Sequence, residues 1–150
     1  MSPGSAAAVA LCAIGGLGGA VQAAIMGRFG ERIGVVEAFA FSTFVTAPIS
    51  LGALLVARQS LAAYAEGLRS PAWLWTAALM SAVIVAGLTF AAPRIGTTAT
   101  IAILVAGNLV MAAAIDQFGW FGLDRIPLAW PRVAGLVLLA VGAALTLWRR

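Results

Sequence analysis

The sequence contains no histidine and no lysine, a single cysteine, and few charges of either sign: 9 Arg against 5 acidic residues in 150. Each shortage excludes something. Without histidine the chain lacks the commonest general base and the commonest metal ligand, and no zinc spacing or nucleophile–base set containing His is possible. A lone Cys12 forbids an intramolecular disulfide, and its position in an apolar run makes it a small buried hydrophobe by expectation. The positive charge is carried by Arg alone, scattered singly or in pairs between apolar runs. Nucleic-acid binders instead concentrate basic residues on one face, so a nucleic-acid partner is not expected.

What the chain has in abundance is apolar surface. Hydrophobic residues make up 63% and charged residues 9% of the sequence. Soluble domains carry about a quarter charged residues. A fold of this size leaves much of its surface exposed, so lipid is the natural solvent for it. Spanning a bilayer core takes roughly 20 apolar residues of helix. Five segments approach that length, at about 5–26, 33–57, 72–91, 95–115 and 129–148. The expected fold is an all-α integral membrane protein with five transmembrane helices in a single domain spanning 1–150. The first segment lacks a basic leader and has a long apolar run, so it is expected to be a retained helix rather than a signal peptide.

The expected connections are a tight Gly-rich turn at Gly27–Arg32, a polar stretch from Arg58 to Pro71 holding Gln59, a break at Pro93–Gly96, and a longer link from Asp116 to Pro131. All five tryptophans (Trp73, Trp75, Trp120, Trp130 and Trp148) fall near segment ends, as in an interfacial aromatic belt.

Five crossings put the termini on opposite sides. Arg58, Arg69, Arg125 and Arg132 then face one side, and Arg28, Arg32, Arg94, Arg149 and Arg150 the other. A split of 4 to 5 gives almost no orienting signal. Either a partner sets orientation, or the chain inserts both ways and opposite copies pair. The second possibility gives an antiparallel homodimer of ten helices, the inverted-repeat plan of many secondary transporters.

Polar groups inside apolar segments are expensive, and each needs a reason. Cys12, Gly15, Gly19, Gln22 and Met26 share one stripe of the first segment. Gly15 and Gly19 form a GxxxG pair suited to close helix packing, while Gln22 offers hydrogen bonds to a neighbour or a solute. Asn108, in the middle of the fourth segment, must face protein or a wet cavity, because its amide cannot be left bare in lipid. Ser42, Thr46 and Ser50 recur every four residues around Pro48, which frees the Phe44 carbonyl. Their hydroxyls either bond back to their own helix or line a substrate path. Glu37 is the one carboxylate inside an apolar segment. It is either an interfacial acid stabilised by its helix N-terminus and Arg32 or a titratable coupling group. Asp116 ends a segment where the helix dipole disfavours an acid, so it needs a partner: Arg125, Arg132 or the Gly119 turn.

Several stretches resemble a known family. Gly18 to Ile25 (Gly-Gly-Ala-Val-Gln-Ala-Ala-Ile), Glu37-Ala38 with Phe41-Ser42, Gly107-Asn108-Leu109, Ile115-Asp116-Gln117-Phe118-Gly119-Trp120-Phe121-Gly122 and Pro131 to Gly135 resemble the YdcZ-type family of bacterial inner-membrane proteins, within the drug/metabolite transporter superfamily. The Asp-x-Phe-Gly stretch is the most specific. The resemblance implies five helices per chain, occurrence as single, paired or fused forms, an inner-membrane location and an exporter-type role; no cofactor is expected. This chain departs from the pattern at Met26, Asn108 and Gln117, where the family tends to have Asn, Gln and His. Relatives in the small multidrug resistance group use a first-helix carboxylate, which this chain lacks.

The expected function is therefore alternating-access export of a neutral or amphipathic small organic solute, not enzymatic catalysis. Gln22, Asn108, Trp75 and Ser42 are the expected substrate contacts, Glu37 and Asp116 the candidate coupling groups. The rival expectation is an accessory or lipid-handling subunit of a heteromeric membrane complex. Dual insertion is testable directly: topology reporters fused after Arg150 are expected to be found on both sides of the membrane in cells, and a C-terminus on one side alone would contradict it.

Overall fold

The computed structural model describes residues 3–58 and 62–148; Gln59 and the Arg149–Arg150 pair lie outside them. Among the described residues the chain is all helical. It forms α1 (Pro3–Ile33), α2 (Val35–Arg58), α3 (Ala62–Leu68), α4 (Thr76–Ile95), α5 (Thr97–Phe118) and α6 (Trp130–Thr146), with 3-10 turns at Ala72–Trp75 and Trp120–Gly122. Four helical segments are long and apolar enough to cross a membrane: Gly4–Ile33, Val35–Ala57, Ala72–Ile95 and Thr97–Phe118. α6 is apolar but has only 17 residues, about 26 Å at 1.5 Å per residue against a core of about 30 Å.

One expected turn is not a turn. Gly27–Arg32 continues as helix, and α1 runs on to Ile33. Gly27 is buried, so that end of α1 packs rather than bends. The break falls at Gly34, whose φ of 104° is a region side chains disfavour. The hydrogen-bond ladder nonetheless continues through it: Gly34 N–H donates to the Gly30 carbonyl, and Ala38 N–H donates to the Gly34 carbonyl, both at 3.0 Å. Both the N–H and the C=O of Gly34 are therefore paired across the break.

The chain divides into two compact units, residues 25–90 and residues 1–24 with 91–150. In the first, Phe29 meets Phe41 edge to face at 5.3 Å. Met26, Ala38, Leu88 and Thr89 are buried there. Gly30 lies so close to Thr89 that an added Cβ would come within 2.5 Å of its methyl group. Thr89 satisfies its own hydroxyl by donating to the Val85 carbonyl at 2.8 Å, so a polar residue is buried there without cost to the packing. α2 is continuous through Pro48. Thr43, Thr46 and Ser50 each donate to a carbonyl three or four residues back, on Phe39, Ser42 and Ala47. Of the two readings of these hydroxyls, Thr46 and Ser50 take the intrahelical one.

In the second unit, Ala92, Ala99, Thr100 and Ala143 are buried. Thr100 returns its hydroxyl to the first turn of α5 by donating to the Gly96 carbonyl at 2.8 Å. The core residues are small, and most Leu, Ile, Val and Phe side chains face outward. In lipid that outward surface carries no penalty, and helix contact is driven by close approach of small residues. The tryptophans all lie exposed at helix ends or in the 3-10 turns.

The Gly30–Thr89 contact sets a measurable limit. Gly30→Val is expected to destabilise by about 1–3 kcal/mol through overpacking. Gly52→Ala, at a helix position where a Cβ meets open space, is expected to be neutral or to stabilise by up to about 1 kcal/mol. Thermal unfolding in detergent compares the two; equal melting temperatures would contradict the packing described.

Candidate substrate site

The most elaborate polar structure lies at the end of α5. The helix closes on Gly119, which is left-handed at φ 63° and donates its N–H to the Ile115 carbonyl at 2.8 Å. A helix leaves its last four carbonyls without intrahelical partners, and here the following connector supplies donors to two more. Ile126 N–H donates to the Asp116 carbonyl at 2.8 Å, and Arg125 Nε–H donates to the Gln117 carbonyl at 2.7 Å. The Gln117 side chain then reaches forward: its Oε1 accepts the N–H of Leu128 at 2.7 Å. Arg132, in the first turn of α6, donates to Asp116 Oδ2 at 3.1 Å. Three successive residues of α5 thus hold the connector and the start of α6. Phe118 stacks on Trp120 at 5.5 Å across the same turn, and Phe121 adopts φ 62°, uncommon for a non-glycine residue.

Of the three partners open to Asp116, the ion pair is with Arg132, while Arg125 is used by a neighbouring carbonyl. The pair is partly exposed, with 33% of the Asp116 side chain and 49% of the Arg132 side chain accessible. Such a pair contributes about 0–1 kcal/mol, so it can exchange partners at little cost.

Two cavities line the α5–α6 contact. The larger, about 590 Å³, is bounded by Ala20 of α1, Thr97, Ile101 and Val105 of α5, and Leu138 and Thr146 of α6, among others. The smaller, about 230 Å³, runs past Leu109, Ala112 and Gly135 to the Asp116–Arg132 pair. Leu139 lines both.

Among the expected site residues, Asp116 alone borders these cavities. Gln22 on α1 and Asn108 on α5 are exposed, and among the described residues their side-chain amides make no hydrogen bond. Gly15 and Gly19 face open space, with no atom within 4 Å of where a Cβ would be. In the other unit, Ser42 is half-buried and Trp75 exposed. Glu37 is the third residue of α2. Its carboxylate folds back over Gly34, where it would meet any side chain placed there. An acid at this position is favoured by the helix N-terminus. Among the described residues it has no ion-pair partner, and Arg32 does not supply one. Cys12 is exposed rather than buried.

Sequence reasoning did not foresee the part played by Gln117. The available signal was the stretch 119–129 after α5, with no helical or strand periodicity, whose amides must find acceptors. The hydroxyls and alkyl groups lining the larger cavity carry no distinctive sequence pattern.

A family model described as "Putative inner membrane exporter, YdcZ" matches residues 7–145. The chain belongs to the YdcZ family. Membership accounts for the apolar, membrane-length helices, and the chain is a multi-pass inner-membrane protein. The family is described as an exporter rather than an enzyme. Neither a curated protein nor a solved structure matches the chain.

Proposed function

We propose that this YdcZ-family chain is half of an alternating-access exporter for small neutral or amphipathic organic solutes, and that two antiparallel copies make the working unit. The observation that carries the reading is the pair of amides on apolar helices, Gln22 and Asn108, exposed and without hydrogen bonds among the described residues. Amides facing hydrocarbon are costly, so these require water, solute or a second copy against them. The open surface at Gly15 and Gly19 supports a second copy, since small residues permit close helix approach. α6 is the fifth crossing in this reading. Trp130 and Trp148, 79% and 80% exposed at its two ends, are suited to the two headgroup regions.

Gln22, Asn108, Trp75 and Ser42 are the proposed solute contacts, and Glu37 and Asp116 the proposed coupling groups. Glu37 suits coupling because its carboxylate makes no ion pair among the described residues. The near-even distribution of Arg also favours a rival, an accessory or lipid-handling subunit. Purification distinguishes them: a stable homodimer supports the carrier, and obligate co-purification with a second membrane protein supports the subunit.

The direct test is current measured on solid-supported membranes from proteoliposomes, using solutes selected by thermal shift. Gln22→Leu and Asn108→Leu are each expected to reduce the solute-evoked current about tenfold or more, the loss of roughly one hydrogen-bonded contact. Glu37→Gln is expected to abolish uptake driven by a proton gradient. Wild-type currents in both amide variants would overturn the site, and an unchanged rate in Glu37→Gln would remove the coupling role.

A further inference from the structure

Both cavities lie along the α5–α6 contact, and Leu139 lines each of them; together they offer a trough along the two helices. Its lining mixes small residues, including Ala112, Gly135 and Gly142, with Leu, Ile and Val. Thr97 and Thr98 line the larger cavity, and the Asp116–Arg132 pair lines the smaller. An apolar trough with a charged pair in its lining fits a molecule with an apolar body and one charged head.

The sign of that head follows from the helix ends. Asp116 sits in the last turn of α5 and Arg132 in the first turn of α6. Each opposes the dipole of its own helix, so each depends on the other. The acid is the fixed member. Its short side chain has two torsions, and its backbone carbonyl is tied to Ile126. Arg132 has a long flexible stem, is half exposed, and can swing its guanidinium to the headgroups. An incoming cation therefore replaces Arg132 against Asp116 and adds favourable charge at the C-terminal end of α5. An incoming anion would have to displace the fixed carboxylate. It would also meet an α6 terminus where Pro131 has no N–H and the amides of Arg132 and Val133 are already bonded to Ala129.

We propose that this trough is a binding site for amphipathic organic cations, with the cationic head on Asp116, the apolar body along α5 and α6, and Arg132 as the resident counter-ion that the ligand displaces. The assignment deepens the carrier reading, on which the ligand's status as a transported solute rests. Binding itself is independent of transport.

The experiment compares three probes with one hexyl chain and different heads: hexyltrimethylammonium, hexyl sulfate and hexanol. Saturable binding is measured by titration calorimetry to the full chain in zwitterionic nanodiscs, with empty nanodiscs subtracted. The ammonium probe is expected to bind tightest. Asp116→Asn is expected to weaken it about tenfold or more, and Arg132→Gln to tighten it by up to about fivefold by removing the competitor. Gly135→Val, which places a side chain in open space of the smaller cavity, is expected to weaken the ammonium and alcohol probes alike. A preference for hexyl sulfate that disappears in Arg132→Gln would overturn the assignment in favour of an anion site. Equal binding of all three probes, ammonium binding unaffected by both Asp116→Asn and Gly135→Val, or no saturable binding would each overturn it too. If Asp116→Asn does not fold, the wild-type order of the three probes and the Gly135→Val result decide the matter. A current assay that fails while ammonium binding persists would remove the carrier reading and leave the site standing; the reverse result would remove the site and leave the carrier.

Discussion

The Gln117 side chain accepting the Leu128 amide is the contact on which the α5–α6 hairpin depends. The stretch between these helices is mostly extended, with only a short 3-10 turn at Trp120–Gly122. Within it only the Leu123 N–H to Trp120 carbonyl bond forms among the described backbone bonds, and next to a membrane an unpaired amide is costly. Ties to the last turn of α5 supply partners to three amides of the stretch, those of Gly119, Ile126 and Leu128, and the Arg125 guanidinium adds a fourth tie by donating to the Gln117 carbonyl. Each contributes about 0.5–1.5 kcal/mol net. The Gln117 tie reaches furthest along the connector, eleven residues on, and fixes the chain two residues before α6 begins. The start of α6 sets where Arg132 can reach, and so where the Asp116 pair and the smaller cavity form.

The remaining architecture follows from the scarcity of large buried side chains. Most of the buried residues described are Ala or Thr, with Met26 and Leu88 the larger exceptions, and most bulky apolar residues face outward. Thr89 and Thr100 are tolerated in buried positions because each hydroxyl is returned to its own helix. Charges are kept to helix ends. The Arg28–Glu31 pair is largely exposed and contributes little. The Asp116–Arg132 pair borders a cavity, so its worth lies in what can compete for it rather than in stability. Family membership supplies the inner-membrane setting; the bare amides and the α5–α6 trough supply the chemistry proposed for it.

The membrane-length helices were legible in the sequence because apolar runs between charges mark them, and that signal is insensitive to packing; α3 (Ala62–Leu68), inside the expected polar connection, was not foreseen. The end of α1 was not. Gly27, Gly30 and two Arg within six residues suggest a turn, yet the helix runs through to Ile33. Gly30 is required there for its close approach to Thr89, a contact between residues 59 positions apart that no local pattern reveals. The need of Asp116 for a partner was readable from the helix dipole, and the choice of Arg132 over Arg125 was not, since it depends on the path of the connector. Gln117 was legible only as a departure from a family pattern. Its role needs the position of the Leu128 amide, which only the folded connector fixes.

Amide hydrogen exchange at Leu128 tests most directly whether Gln117 organises this hairpin. In Gln117→Leu the Leu128 amide is expected to exchange about tenfold faster or more, with loss of protection spreading into the first turn of α6. Gln117→Glu, which keeps an acceptor oxygen, is expected to retain most of the protection. Unchanged exchange at Leu128 in Gln117→Leu would contradict the account.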